Sequence, residues 1–325
     1  MENNMPIKVK SDLPAKAVIE QENIFIMDET RAIRQDIRPL KIAILNLMPL
    51  KHETEIQLLR ALSNTPLQVD VTFVHIASHI SKNTPASHLN QFYSTFDEIK
   101  HKKFDGFIIT GAPLDDYAYE DVDYWDEMKK IMDFTKTNVT STLHICWGAL
   151  AGLYYHYNIP TVRLPEKCFG IYEHRVIHRK VPLMRGFDDV FLAPHSRHIG
   201  VLPEDIKANK NLTVLAESDE AGPFIIIAED GKQIFMTGHP EYDRMTLDIE
   251  YKRDLEKGLS IHIPYNYYKD DNPDNPPLLT WRAHANAIYT NWLNYYVYQL
   301  TPYDLIDTSE NSGTVSYTHL TLPTN

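Results

Sequence analysis

The sequence predicts an α/β protein with a largely parallel sheet that is covered by helices on both faces. The first observation is a series of short, continuous Val/Ile/Leu runs, which are typical of strands buried on both faces. The second is that segments with apolar residues three or four positions apart, the period of an amphipathic helix, lie between these runs. Alternating strands and helices are characteristic of parallel sheets, because a parallel connection must cross over the sheet.

Each predicted element has its own apolar pattern. Continuous runs predict strands at 42–47, 71–74, 107–110, 140–146, 214–216, 224–227 and 234–236. Helical stripes predict helices at 53–63, 122–135 and 147–157. The last two strands are predicted to form a hairpin across Asp230-Gly231, a dipeptide that favours tight turns.

We divide the chain into three parts. Residues 1–38 are mixed and polar, and they are predicted to form an arm whose one apolar patch, residues 24–27, packs on the body or on a partner chain. Residues 39–307 form the α/β body. The tail, residues 308–325, is polar and without periodicity, and it is predicted to be disordered or not native to the protein.

The end of the body contains a loop and a long helix. Residues 264–277 are rich in Pro, Asn and Asp, which excludes a helix or a central strand. A helical stripe follows, and we expect it in the core or at a dimer surface. Its members are Trp281, Ala285, Ile288, Trp292 and Tyr295.

Composition argues against several classes of protein. The 32 basic and 44 acidic residues give a net charge of −12, which is unsuited to general binding of nucleic acid or anionic membranes. No apolar run reaches the roughly 18 residues of a membrane helix, and the amino terminus has no apolar signal region. The 12 glycines form no GxGxxG or P-loop motif, and two cysteines give neither a disulfide framework nor a zinc cluster. We expect a soluble, cytoplasmic protein.

Cys146 is the sharpest chemical feature of the sequence. It ends a predicted strand, and a predicted helix begins at Trp147, which places the thiol at the sheet edge where open α/β sheets bind ligands. A helix amino terminus lowers the pKa of a thiol and offers backbone N–H groups to an oxyanion. Position alone leaves two interpretations equal, a nucleophile and an inert buried cysteine.

Two further turns follow predicted strands at the same edge. His239-Pro240-Glu241 comes directly after the last strand, and a histidine oriented by a carboxylate is the base that a thiol nucleophile requires. Gly111-Ala112-Pro113 closes the third strand, where it forms either part of an oxyanion hole or an ordinary turn. The order Cys, then His-x-Glu, makes the functional interpretation of Cys146 the stronger one.

The sheet with a strand-end cysteine and a later His-Pro-Glu resembles the class I glutamine amidotransferase superfamily, whose sheet is flavodoxin-like. More specific motifs are similar to the homoserine O-acyltransferase family of methionine biosynthesis, over about residues 1 to 307. These motifs are LNLMPLKHETE (45–55), GAPL (111–114), HICWGA (144–149), LPEKCFGIYEH (164–174), APHSRH (193–198), TGHPEYD (237–243) and DIEYKRD (248–254).

The resemblance implies a role for each matching position. It places the acyl-thioester on Cys146, the base on His239 and its partner on Glu241. It implies substrate contacts at Lys167, Ser196 and Arg253, residue types that suit a zwitterionic amino acid. Backbone N–H groups of Trp147 and Gly111 are expected to hold the oxyanion. Lys51 either is solvated at a helix start or reaches the site or an acyl-CoA phosphate.

The family resemblance also bears on the acyl donor. Succinyl-using relatives carry a glycine just after the GAP turn and acetyl-using relatives a glutamate, whereas this chain has Asp115. An aspartate beside a succinyl carboxylate is a like-charge pair, so we predict acetyl-CoA. The alternative for Asp115 is an outward-facing turn residue.

The resulting prediction is a homoserine O-acetyltransferase that works by ping-pong acyl transfer. Acetyl-CoA and L-homoserine are its substrates, no metal or redox cofactor is required, and a homodimer through the aromatic carboxy-terminal helix is expected. The alternatives are a homoserine O-succinyltransferase, a glutaminase-like hydrolase that would release ammonia from glutamine, and a catalytically silent binding relative.

Overall fold

The computed structural model describes residues 7–10, 12–21, 26–27, 38–79, 81, 83–228 and 230–301. The predicted tail, 308–325, and the first half of the apolar patch, residues 24 and 25, lie outside these ranges. The strands are β1 (Ile7–Lys8), β2 (Ile26–Met27), β3 (Leu40–Leu45), β4 (Val69–Val74), β5 (Tyr93–Ser94), β6 (Phe104–Ile109), β7 (Val139–Ile145), β8 (Val162–Val176), β9 (Val190–Gly200), β10 (Leu212–Ser218), β11 (Gly222–Ala228) and β12 (Gln233–Met236).

Helices connect these strands. They are α1 (Pro14–Gln21), α2 (Lys51–Leu62), α3 (Ala86–Phe92), α4 (Phe96–Ile99), α5 (Trp125–Asn138), α6 (Trp147–Tyr157), α7 (Pro203–Ala208), α8 (Thr246–Glu256) and α9 (Arg282–Asn291), with a π-helical turn at Trp292–Tyr298. All the elements predicted from apolar patterns are present, with ends that differ by at most three residues. Among the described residues, no helix has the length and apolar character needed to cross a bilayer.

The described strands form one mixed, largely parallel sheet. Their order is β2-β1-β4-β3-β6-β7-β12-β11-β10-β8-β9, with β5 attached to β4. Neighbours from β2 to β12 pair in parallel, and those from β12 to β9 pair antiparallel. This arrangement confirms the predicted fold class, including the hairpin between β11 and β12.

The apolar runs are continuous because both faces of the central strands are buried. In β3, Ile42 and Ile44 belong to one hydrophobic cluster, and Ala43 and Leu45 belong to a second cluster on the opposite face. Successive side chains of a strand point to opposite faces, so a strand covered on both sides favours apolar residues at successive positions.

The aromatic stripe at the carboxyl end is part of this core. Trp281, Ala285, Ile288 and Trp292 are buried within the chain, and the Trp292 indole N–H donates to Ser141 Oγ at 3.0 Å. Of the two predicted uses of this stripe, the structure shows the core. These four residues are therefore not available as a dimer surface, whereas Tyr295 is only partly buried.

The described part of the arm packs on the body. β1 pairs in parallel with β4 and extends the sheet at that edge, and α1 buries Ala15 and Ile19 in the same cluster as residues of α2.

The longest strand pair was not predicted. β8 and β9 form an extended antiparallel ribbon with a register irregularity between Arg163 and Cys168. The amino-terminal half of β8 is polar and largely exposed, so it has no continuous apolar run. This ribbon is important for the site because Lys167 and Ser196 lie on it.

Candidate active site

Three neighbouring strands deliver residues to one point. β6, β7 and β12 lie side by side in parallel, and their carboxyl ends lead into Gly111, Cys146 and His239. A Cβ atom added to Gly111 would lie 3.2 Å from His239 Cε1 and 3.3 Å from Cys146 Cβ. The structure therefore brings together the strand-end residues that the sequence singled out.

Cys146 occupies a sharp turn between β7 and α6. Its backbone has φ 49° and ψ −117°, a conformation that non-glycine residues rarely adopt. The turn is held on both sides, since the Cys146 N–H donates to the Met236 carbonyl at 2.7 Å and its own carbonyl accepts from Leu150. Strain of this kind persists only where the surroundings impose it, and it is common at functional sites.

Gly148 allows this turn to lie against β6. A Cβ at residue 148 would be 2.6 Å from the Thr110 carbonyl oxygen and 2.9 Å from that of Ile109, closer than a methyl group can approach. Because residue 148 is a glycine, the turn after Cys146 can lie directly against the end of the neighbouring strand β6.

His239 lies between Cys146 and Glu241. The imidazole is buried, and Nδ1 donates to Glu241 Oε1 at 2.7 Å, because a carboxylate can only accept. Burial lowers the pKa of His239, but the opposing attraction to Cys146 and Glu241 is greater, so the pKa lies well above its ordinary value. This arrangement favours the protonated imidazolium form of His239 beside Cys146.

Tyr242 is a site residue that sequence reasoning missed. Its ring stacks on the His239 imidazole with centroids 4.1 Å apart and planes 15° apart. Its hydroxyl donates to Glu250 Oε1 at 3.0 Å, and the Trp281 indole donates to its carbonyl. Tyr242 lies only three residues after His239, within the motif TGHPEYD, and this proximity was the available signal.

A polar cluster lies beyond Tyr242. Ser196 Oγ donates to Glu250 Oε2 at 2.5 Å, and Lys167 Nζ lies 3.8 Å from the same oxygen and 3.2 Å from Asp254 Oδ2. The ammonium group of Lys167 also lies 4.1 Å from the centre of the Phe169 ring. The lysine predicted to contact substrate is thus largely buried, and its surroundings hold it in place.

Arg253 completes the cluster at its solvent side. Its side chain is 50% exposed, and its Nε donates to Asp254 Oδ1 at 2.8 Å. Three predicted substrate contacts, Lys167, Ser196 and Arg253, therefore lie together, with the carboxylates Glu250 and Asp254 between them. Sequence reasoning assigned no role to these two acids.

Asp115 faces the protein and not bulk solvent. Its Oδ2 accepts the His198 backbone N–H at 2.6 Å, which fixes the carboxylate against β9 two residues from Ser196. Burial raises the pKa of Asp115 despite this hydrogen bond.

Lys51 is buried and not solvated. Its Nζ donates to the Asn46 carbonyl at 2.6 Å, and burial lowers its pKa to about 8 against the opposing effect of Glu55. It therefore stabilises the 46–51 loop, which lines an open cavity of about 460 Å³ together with the turn after β6. Met48 of this loop approaches Gly111, so the cavity adjoins the site.

Within the described part of the chain, no three His, Cys, Asp or Glu side chains are grouped as metal ligands would be.

The second thiol, Cys168, is buried in β8, and burial raises its pKa. Cys146 is thus the thiol that the fold presents to a base.

The family model described as homoserine O-succinyltransferase matches residues 6–303. The chain belongs to the homoserine O-acyltransferase family. The resemblance noted in the sequence is thereby confirmed, and the motifs that carried it surround the site described above.

Members of the homoserine O-acyltransferase family with similar sequences are named for acetyl transfer. A homoserine O-acetyltransferase of Lachnoclostridium phytofermentans is 65% identical over 301 residues, 93% of this chain and 100% of that protein. A homoserine O-acetyltransferase of Lachnospira eligens is 61% identical over 307 residues, 94% of this chain and 99% of that protein.

A solved glutamine amidotransferase from Thermotoga maritima superposes with a TM-score of 0.53 at 13% identity. The match covers 80% of this chain and 99% of that one. This likeness concerns the fold alone.

Proposed function

We propose that this member of the homoserine O-acyltransferase family is a homoserine O-acetyltransferase that transfers the acetyl group of acetyl-CoA to the γ-hydroxyl of L-homoserine through an acetyl-Cys146 intermediate. The observation that carries the proposal is the placement of Cys146 on a strained turn against His239, beside a charged cluster suited to an amino acid. The relatives named homoserine O-acetyltransferase agree with the acetyl donor predicted from Asp115.

The first half-reaction forms the thioester. The Cys146 thiolate attacks the acetyl carbonyl, and the backbone N–H groups of Trp147 and Gly111 stabilise the oxyanion. The CoA sulfur leaves and takes the proton of the His239 imidazolium. The products are CoA, acetyl-Cys146 and a neutral imidazole, so charge and protons balance.

The second half-reaction uses that neutral imidazole. Acetylation removes the thiolate, which is one of the two groups that raise the pKa of His239, so the imidazole is free to act as a base when one is needed. It takes the proton of the homoserine γ-hydroxyl as the oxygen attacks the thioester. The product, O-acetylhomoserine, leaves, and the thiolate–imidazolium pair of Cys146 and His239 is restored. Glu241 orients the imidazole throughout.

The acceptor binds in the polar cluster. Lys167 and Arg253 are the cations that suit the homoserine carboxylate, and the planar fork of Arg253 is exposed enough to receive it. Ser196 contributes a hydroxyl near the same position. The two cations are balanced by Glu250 and Asp254, so the cluster matches a ligand of zero net charge.

We further propose the cytoplasm as the location and a homodimer as the working form. The proposed joining surface lies outside the aromatic stripe, because most of that stripe is buried in the core.

Steady-state kinetics test the proposed function. With homoserine as acceptor, we expect parallel double-reciprocal lines with acetyl-CoA, a kcat/KM at least tenfold lower with succinyl-CoA, and no ammonia from glutamine. A preference for succinyl-CoA would mean that the enzyme is a homoserine O-succinyltransferase. Ammonia release would favour the glutaminase-like alternative. Absence of any turnover, with no acylation of Cys146, would favour the silent relative.

A further inference from the structure

Glu250 is a largely buried acid at the substrate cluster, and the mechanism above gives it no step. Its side chain is 14% exposed, and both of its oxygens face the site. One accepts from Tyr242 and the other from Ser196. Tyr242 in turn stacks on the base, His239, and Ser196 is one of the predicted substrate contacts.

We propose that Glu250 binds the ammonium group of homoserine and thereby directs acetylation to the γ-oxygen and away from the α-nitrogen. The inference rests on the proposed function, because it assigns a role within the acceptor site of that reaction. It addresses a specific problem: homoserine carries two nucleophiles, and a neutral amine attacks a thioester more readily than an alcohol does.

The distribution of charge determines which end of the zwitterion lies where. Arg253 is the exposed cation at the mouth of the cluster, whereas Glu250 lies deeper, on the side of Tyr242 and His239. A homoserine carboxylate at Arg253 therefore places the ammonium group within reach of Glu250. The reverse orientation would bring the substrate carboxylate against Glu250, a repulsive pair.

The existing contacts leave Glu250 able to receive a new donor. Lys167 Nζ lies 3.8 Å from Glu250 but only 3.2 Å from Asp254. When the substrate ammonium group takes the place of Lys167 beside Glu250, Lys167 therefore keeps its ion pair with Asp254. The hydrogen bonds from Ser196 and Tyr242 hold the carboxylate in place before substrate arrives. Fixed acceptors of this kind bind a charged donor with little loss of side-chain entropy.

Two consequences for the chemistry follow. A salt bridge to Glu250 favours the protonated amine, which has no lone pair to attack acetyl-Cys146. It also anchors the nitrogen away from the thioester. The four bonds from the ammonium nitrogen to the γ-oxygen span about 5 Å when extended, so the hydroxyl is the group that reaches His239.

The test uses pre-formed acetyl-enzyme freed of CoA, so that only the second half-reaction is observed. The acceptors are homoserine and 4-hydroxybutanoate, which lacks the amine. We expect the wild type to prefer homoserine by about 100-fold in second-order rate, as expected for loss of a charge-assisted hydrogen bond. Glu250→Gln should reduce that preference to below tenfold.

A matched control is Glu256→Gln, which removes an exposed acid of the same helix and should retain the full preference. Products quenched in acid and separated by chromatography should contain N-acetylhomoserine with Glu250→Gln and only the O-ester with the wild type. Retention of the full preference and of pure O-ester in Glu250→Gln would overturn the inference.

A wild type that discriminates less than threefold between the two acceptors would also overturn it, even if Glu250→Gln does not fold. Failure of the proposed function looks different, since acetyl-CoA would then not acetylate the wild-type enzyme at all.

Discussion

The imidazole of His239 and the phenol ring of Tyr242 are stacked nearly parallel, with centroids 4.1 Å apart. The hydrogen bond that His239 Nδ1 donates to Glu241 fixes one edge of the imidazole, and the stack fixes its plane. Together they hold the remaining nitrogen toward Cys146. Because proton transfer depends steeply on geometry, we assign Tyr242 a positioning role.

Two substitutions of Tyr242 separate the stack from the hydroxyl. Tyr242→Phe keeps the ring and should raise the homoserine KM a few-fold, since only the hydrogen bond to Glu250 is lost. Tyr242→Leu removes the ring and should lower the rate constant of each half-reaction on the order of tenfold. The pH profile of Cys146 alkylation by iodoacetamide should shift in Tyr242→Leu and stay unchanged in Tyr242→Phe. Identical profiles for the two variants would argue against positioning through the ring.

Asp115 is expected to select the acyl donor by charge. At ~4 Å and an effective dielectric near 20, a succinyl carboxylate beside it is repelled by about 4 kcal/mol, and half of that is still roughly thirtyfold in rate. Asp115→Gly should therefore raise kcat/KM for succinyl-CoA relative to acetyl-CoA by at least tenfold. An unchanged ratio would mean that the carboxylate held by His198 does not face the acyl group.

The same carboxylate predicts a pH dependence. Burial raises the pKa of Asp115, so the group becomes neutral at a higher pH than an ordinary aspartate. Repulsion of succinyl-CoA is then greatest above that raised pKa and weakens as pH falls through it. In the wild type, the ratio of kcat/KM for acetyl-CoA to kcat/KM for succinyl-CoA should fall on acidification. In Asp115→Asn, which carries no charge, the ratio should stay flat.

Acid stability depends on buried histidines, and His144 is the clearest case. Burial lowers the pKa of His144 to about 4, and its Nε2 hydrogen-bonds Gln233 Oε1 at 2.7 Å. The unfolded chain, with an ordinary pKa near 6.5, binds more protons in this range. The stability that His144 contributes is therefore complete above about pH 6.5 and is lost as pH falls toward 4.

His144→Gln removes this titration while keeping a side-chain donor. Between pH 7 and pH 5, the wild type should lose about 2 kcal/mol more unfolding free energy than the variant. Urea unfolding at the two pH values measures the difference. Equal losses in the two proteins would show that His144 does not contribute to acid lability.

The central strands could be predicted because burial on both faces leaves a sequence signature. The runs at 42–45 and 107–109 are apolar at every position, and the structure has β3 and β6 there. The β8–β9 ribbon has no such signature, since much of β8 is exposed and charged. Its strands are held by pairing across the ribbon, which a single sequence does not display.

The same distinction applies to the site. Cys146 and His239 could be brought together by reasoning because parallel strands place their carboxyl ends at one edge. Glu250 could not, since its position depends on how α8 packs against the ribbon and on a hydrogen bond from Tyr242. From sequence alone, a glutamate on a polar helix is expected to be exposed to solvent.

The measurement that tests the central claim most directly is the intact mass of the protein mixed with acetyl-CoA in the absence of acceptor. We predict that the wild type gains one acetyl group, located on the peptide containing Cys146, and loses it when homoserine is added. His239→Asn should acquire the label on the order of 100-fold more slowly, and Cys146→Ala should acquire none. Acetylation of folded Cys146→Ala, or a wild-type label that homoserine does not remove, would contradict the account.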